Sequence, residues 1–189
     1  MSIRFGKDTP MGLRPYDAVL RINRYRVDTT AAQIFPGDVV TRLASGGLAL
    51  LTTATQLPIG VSAEWTTASG ASAVLLVYDH PDQLFTIQED ADTSNFTAAR
   101  IGENFDLVYT AGTTAPNLTS LRELDTSTGG TAGAGVSTIV RALKIHEGEV
   151  FSTGSKIGDQ VYATTATSDA QRKVVVSFIT HQFTNTTTV

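Results

Sequence analysis

Between residues 73 and 92 every local signal in the chain agrees, and any fold has to accommodate what that stretch demands. Val74, Leu75, Leu76, Val77 and Tyr78 form one continuous apolar, strand-favouring run, and residues 84–88 form a second in which Phe85 and Ile87 alternate with polar neighbours. Between them stands Asp79-His80-Pro81-Asp82, where Pro81 fixes its own φ and the two aspartates are able to bond nearby backbone N–H groups. The reading is a central hairpin with a sharp corner. Each of its strands has an apolar face to bury, so the other apolar runs are expected to be further strands packed around this pair.

Those other runs fit. Residues 19–27 alternate, and Phe35-Pro36-Gly37-Asp38 turns the chain into residues 39–43. Ser45-Gly46-Gly47 then turns it back into residues 48–51. Residues 57–65 read as a strand in which Pro58 and Gly60 mark an edge or a bulge. Around residues 95–102 there is one helical turn, capped by Asn95 or Thr97 and closed by Gly102. Strands follow at 105–109, 137–145 and 173–183, with a shorter run at 160–163, while 110–117 and 126–137 read as Gly/Thr/Ala-rich loops. Roughly nine to eleven strands with turn signals about every ten residues make the expected fold all-β, a small β-barrel or β-sandwich with long Gly/Thr-rich loops. The expected organisation is an extended N-terminal arm over 1–18, a single β domain over 19–183 and a C-terminal tail over 184–189.

The arm is read from glycine, proline and charge. Gly6, Pro10, Gly12 and Pro15 are spaced so that neither a helix nor a long strand survives there. Up to residue 33, six basic side chains stand against three acidic ones, so this segment carries +3 and the remainder −7 of a net −4. Apolar residues are interspersed: Ile3, Phe5, Met11, Leu13 and Tyr16. A frayed tail seldom carries so many anchors. The arm is therefore expected to lie on a partner surface, with Arg4, Phe5, Lys7, Met11, Leu13, Arg14, Tyr16, Arg21, Arg24 and Arg26 as the contact residues and the arginines paired with acidic groups there.

Bulk composition and motif searches narrow the chemistry. At 41% hydrophobic and 17% charged, 189 residues suit one compact domain or one domain plus appendages. The absence of cysteine from the sequence rules out disulfides and thiolate metal sites, and the negative net charge argues against nucleic acid as a partner of the body. No apolar run approaches the ~20 residues of a membrane helix, and the first residues lack a secretory apolar region, so a soluble protein made without export and without a membrane partner is expected. His80, His146 and His181 fall at no metal-binding spacing, and no GxSxG elbow occurs. Asp79, His80 and Asp82 resemble a catalytic cluster, yet adjacent turn residues bonding their own backbone are commoner. Glu147 and Glu149 read as a solvated turn. The glycines from Gly129 to Gly135 lack the ending of a phosphate loop. Asp90-x-Asp92-x-Ser94 opens like a calcium loop but has Asn95 where glycine is needed and Ile101 where glutamate is needed. The expectation is no catalytic residue, no cofactor and no metal. A carbohydrate hydrolase would need paired inward carboxylates on facing strands.

The residues that resist a catalytic reading carry a resemblance instead. Gly12-Leu13-Arg14-Pro15, Asn23-Arg24-Tyr25-Arg26 and Pro36-Gly37-Asp38-Val39-Val40 resemble the opening of tailed-bacteriophage structural proteins that decorate or cement the capsid. The run from Val77 to Asp90, then Ala98-Ala99-Arg100-Ile101-Gly102-Glu103-Asn104, and the closing stretch to His181-Gln182 are similar in order to that family across nearly the whole chain. The resemblance implies a β-barrel or sandwich body, made in the host cytoplasm and placed in many copies on the outer capsid surface. Its partners would be the major capsid protein and other copies of itself, with a trimer favoured. The other classes open to an all-β Gly/Thr-rich chain are a head-fibre base, a tail part or a receptor-binding module.

Overall fold

The computed structural model describes residues 10–67, 73–90, 96–112, 118–130, 138–146 and 172–184. They are all-β: β1 (Arg14–Pro15), β2 (Ile22–Arg26), β3 (Val39–Arg42), β4 (Leu48–Leu50), β5 (Gly60–Ser62), β6 (Val74–Tyr78), β7 (Phe85–Gln88), β8 (Asn104–Val108), β9 (Glu123–Gly130), β10 (Val140–Ile145) and β11 (Lys173–Phe178), with one turn of 3-10 helix at Ala98–Arg100. Two antiparallel sheets result. One has six strands in the order β1-β7-β11-β10-β8-β9, the other five in the order β2-β6-β5-β3-β4. Each curls toward closure. Glu89, just past β7, bridges Leu124 of β9, and Val27, just past β2, bridges Leu48 of β4. Curling of this kind hides backbone groups that an open sheet would leave unpaired.

Alternation decides what is buried. On β7, Phe85 and Ile87 point into a core shared with Val174, Val176 and Phe178 of β11 and with Phe105 of β8. Val39, Leu51 and Val61 join it from the five-stranded side, so this core binds the two sheets into one body. A second cluster, with Val40, Leu48, Leu75 and Val77, fills the inside of the five-stranded sheet. β6 faces both: Leu75 and Val77 point into the second cluster and Tyr78 packs on the first.

Four expectations need correction. First, β6 and β7 form no hairpin. The chain crosses between sheets at their corner, because both edges of β6 are taken by β2 and β5 and both edges of β7 by β1 and β11. Second, the chain joins the body well before residue 19. Leu13 is 1% exposed inside the shared core, Arg14 and Pro15 pair with Thr86 and Phe85, and Leu13 N–H donates to Gly37 O at 3.0 Å. Gly12 permits this approach, since its φ is +66° and a Cβ would stand 2.5 Å from the Gly37 oxygen. Third, residues 126–130 are not loop but the second half of β9. Thr128 Oγ1 accepts Asp106 N–H at 3.1 Å, and Gly129 leaves room for the Phe105 ring and the Arg100 guanidinium. The last strand also stops at Phe178 rather than 183, and the run at 160–163 lies outside the described residues. The glycine-punctuated β3–β4 hairpin forms as read, with Leu43 N–H bonded to Gly47 O at 2.9 Å.

A buried ion pair holds the segment before β9 against the five-stranded sheet. Asp38 and Arg122 are both buried, with Nε 3.6 Å from Oδ1, a distance at which attraction in a dry interior is strong although no good hydrogen bond forms. Asp38 also accepts Ser120 Oγ at 2.6 Å and Phe35 N–H at 2.8 Å, while Arg122 donates to Leu51 O. Burial pushes the Asp38 carboxyl up and the Arg122 guanidinium down, against their mutual attraction.

Two substitutions test this construction by urea denaturation. Leu13→Ala is expected to lower the unfolding free energy by about 2–5 kcal/mol, the usual cost of a cavity in a closed core. Arg122→Met strands the Asp38 charge and is expected to cost about 3–5 kcal/mol, with Asp38→Asn added in the same chain restoring a large part of the loss.

Candidate functional site

Of the ten residues expected to meet a partner, the seven that are described differ in burial and in what they bond. Arg4, Phe5 and Lys7 lie outside the described residues. Leu13 is core, which removes it from any contact surface. Arg14 is half-buried in β1, donates to Thr119 Oγ1 at 3.1 Å and has its pKa lowered by burial. Tyr16 donates its N–H to Leu84 O at 2.9 Å, meets His146 edge-on and carries Lys144 Nζ 4.8 Å from its ring centre. Arg14 and Tyr16 are therefore spent on their own subunit, because the chain that bears them is sewn onto β7. Met11 remains exposed.

Arg21 is spent as well, and on an acceptor that turn chemistry alone did not reveal. Its Nε donates to Asp79 Oδ1 at 2.8 Å, its Nη2 to Asp79 O at 2.7 Å, and its guanidinium lies 5.0 Å from the Phe183 ring centre. Asn23 Nδ2 donates to Asp79 Oδ2 at 2.8 Å, and the Tyr25 hydroxyl donates to the same oxygen. Asp79 thus gathers three side chains from β2 and the residue before it, rather than bonding its own turn. Burial alone would push its carboxyl up, but the bonds from Tyr25, Asn23 and Arg21 and the guanidinium charge together hold it below the ordinary carboxylate value. Tyr25 responds in the opposite sense. Burial, its bond to Asp79 and that neighbouring charge push its hydroxyl up to about 12.

The remaining members of the expected catalytic-looking cluster separate from Asp79. His80 Nδ1 accepts Asp82 N–H at 3.1 Å within the corner, and Gln83 N–H closes the turn on His80 O at 3.0 Å. His181 is buried against Phe178 and Phe183, and burial lowers its pKa. Asp90 Oδ1 accepts both the N–H and the hydroxyl of Thr126, while residues 92 and 94 lie outside the described residues. Among the described residues, no group of three or more His, Asp or Glu side chains is placed to hold a metal ion.

What is left over forms a surface. β2 ends its sheet, and its burial pattern shows exposed side chains at Ile22, Asn23, Arg24 and Arg26. Val19 is 49% exposed, Leu20 52% and Ile22 41%, with Val74 of β6 opposite Arg26 in the ladder. Among the described residues Arg24 and Arg26 make no ion pair, whereas Arg21, one residue before the strand, is neutralised. Exposed apolar side chains and two guanidiniums without an ion pair among the described residues thus lie on β2 and in the residues just before it. The alternation of residues 19–27 and the cluster of arginines signalled this edge in the sequence. No protein-family model, curated protein or solved structure matches the chain.

The Asp79 cluster gives a two-sided pH dependence. A depressed folded-state pKa contributes stability above the unfolded value, ~3.9, and loses it as pH falls through the folded value. Asp79→Asn is therefore expected to have a shallower loss of urea stability than wild type as pH falls below about 4. A raised pKa works the other way: Tyr25 contributes stability that is lost as pH climbs from the ordinary 10.0 through about 12. Tyr25→Phe is expected to remove that alkaline loss.

Proposed function

We propose that this chain is a structural virion protein that binds the outer surface of a tailed-phage capsid and stabilises it by bridging neighbouring major capsid proteins. The observation that carries the proposal is the exposed β2 edge, where Val19, Leu20 and Ile22 sit beside Arg24 and Arg26 on a strand that ends its sheet. Shell reinforcement asks for lasting surface contact and no reacting group, and such an edge supplies apolar area together with charges able to meet acidic groups. The resemblance of residues 12–15, 23–26, 36–40 and 77–90 to capsid-decorating proteins supports the same reading. So does the construction of the body, in which a buried ion pair and a shared core hold two curled sheets together behind the edge.

Binding through many copies raises the effective strength of a modest contact, so the proposal includes self-association, with a trimer at local threefold positions. Mixing the purified protein with undecorated expanded heads and sedimenting the particles tests the proposal. Saturation at many equivalent sites over the shell is expected, with occupancy weakened at high salt and by Arg24→Glu/Arg26→Glu. Occupancy confined to one vertex or to the tail would instead assign the chain to a fibre base or tail part.

A further inference from the structure

Beyond β11 the chain makes a small turn that fastens the end of the six-stranded sheet to the five-stranded one. Gln182 N–H donates to Pro58 O at 3.0 Å. Its side-chain Nε2 donates to Arg42 O at 3.1 Å and to Thr41 Oγ1 at 3.3 Å, and its Oε1 accepts Arg42 N–H at 3.3 Å. Thr184 N–H and hydroxyl close the turn on His181 O. The bonds to Arg42 lie at the surface, where water competes for them.

The dry part of this fastening is one imidazole. His181 is 2% exposed and packs against Phe183 and Phe178, with ring centres 5.4 and 6.3 Å away. Its Nδ1 accepts Phe183 N–H at 3.2 Å, so the single proton of the neutral ring belongs on Nε2. A second proton, on Nδ1, would set a donor against a donor and place a charge out of reach of water. The ring cannot be charged and stay where it is. Burial lowers its pKa from the ordinary 6.5, prevailing over the Ile59 backbone and the Asp79 carboxylate, which favour a proton, while Arg21 and His80 oppose one. Asp79 stays ionised through this range, since its own carboxyl is held below the ordinary value.

We propose that residues 180–184 form an acid-released latch: a proton on His181 Nδ1 breaks the bond from Phe183 N–H, drives the charged ring into water and detaches the turn from β3 and Pro58. β11 pairs with β10 as far as Phe178, and Ile179 N–H is held by Ile139 O at 3.1 Å, so opening stops there and leaves the sheet intact. Release uncovers the Phe178 ring, part of the shared core, and so gives the protein an apolar surface in acid that it lacks at neutral pH. The device goes beyond the capsid reading and does not depend on it. The open turn, with its imidazole in water, binds a proton more readily than the closed one. Closure is therefore undiminished above pH about 6.5 and weakens as pH falls below it, by at most about tenfold per pH unit for one proton.

NMR of the full chain reads both halves of the latch. At pH about 7.5 the His181 ring is expected to carry its proton on Nε2, and its titration midpoint is expected below 6.5. Protection of the Gln182 amide against hydrogen exchange, corrected for the intrinsic rate, is expected to fall at least about fivefold between pH about 7.5 and about 5, with residues 174–176 unchanged. His181→Asn offers Phe183 N–H an oxygen that takes up no proton in this range, and its Gln182 protection is expected to be level across it. His80→Asn, which removes the other imidazole near Asp79, is expected to keep the wild-type response.

A ring protonated on Nδ1 at neutral pH, a midpoint at or above 6.5, or a Gln182 response that survives His181→Asn would each overturn the latch. Loss of the response in His80→Asn would overturn it too, by moving the trigger to the corner. Parallel loss of protection at residues 174–176 would mean that the whole body opens rather than its last turn. Should His181→Asn fail to fold, the ring titration and the comparison of Gln182 with residues 174–176 in the wild-type chain decide the matter.

Discussion

A carboxylate with no solvent exposure stands where the chain leaves one sheet for the other, and the geometry of the outer surface depends on it. Asp79 follows the last residue of β6, and its oxygens collect Arg21, Asn23 and Tyr25. An ionised group so placed is costly unless its lone pairs are filled, and three donors, one of them charged, fill them. β2 has a ladder on one side only, so these bonds fix its start in a way that pairing with β6 alone would not. Rigidity at that strand lowers the ordering cost of anything that docks on it.

The same device recurs at two other places where sequence-distant segments meet. Asp38 and Arg122 are one case. Glu89 is another, fully buried, with Oε1 accepting Arg172 N–H at 2.9 Å and Oε2 accepting Phe96 N–H at 2.5 Å. Burial raises its pKa in spite of both bonds. Each of these carboxylates holds stretches of chain that approach from separate parts of the sequence. Charged fasteners add little net stability compared with apolar packing, yet they penalise every alternative arrangement that would leave them unpaired.

Most strands were legible because period-two alternation marks one buried face: Phe85 and Ile87, Leu75 and Val77, Val174 and Val176 all lie as their spacing implies. The β3–β4 turn was legible for a different reason, since Gly46 takes a left-handed φ of +85° that its neighbours would resist. Pairing was not legible. Nothing local distinguishes a corner that folds two strands together from one that passes the chain between sheets, because the difference lies in which distant strands occupy the edges. The second half of β9 was hidden by weak intrinsic preference, as Ser127, Gly129 and Gly130 join a strand only because β8 and Asp90 supply partners. The arginines were legible as a positive cluster. Which of them stay unspent depended on Asp79, whose burial cannot be read from a turn motif.

The position of β11 bears on how the chain assembles as it leaves the ribosome. The ladder from β2 to β6 is complete once residue 78 has emerged, so the smaller sheet has all its strands early. The larger one does not: β11 is inserted between β7 and β10, and its central place stays vacant until residue 178 has been translated. Phe85, Ile87 and Phe105 must wait through that interval without their final neighbours, so the larger sheet cannot mature piecewise as the smaller one can.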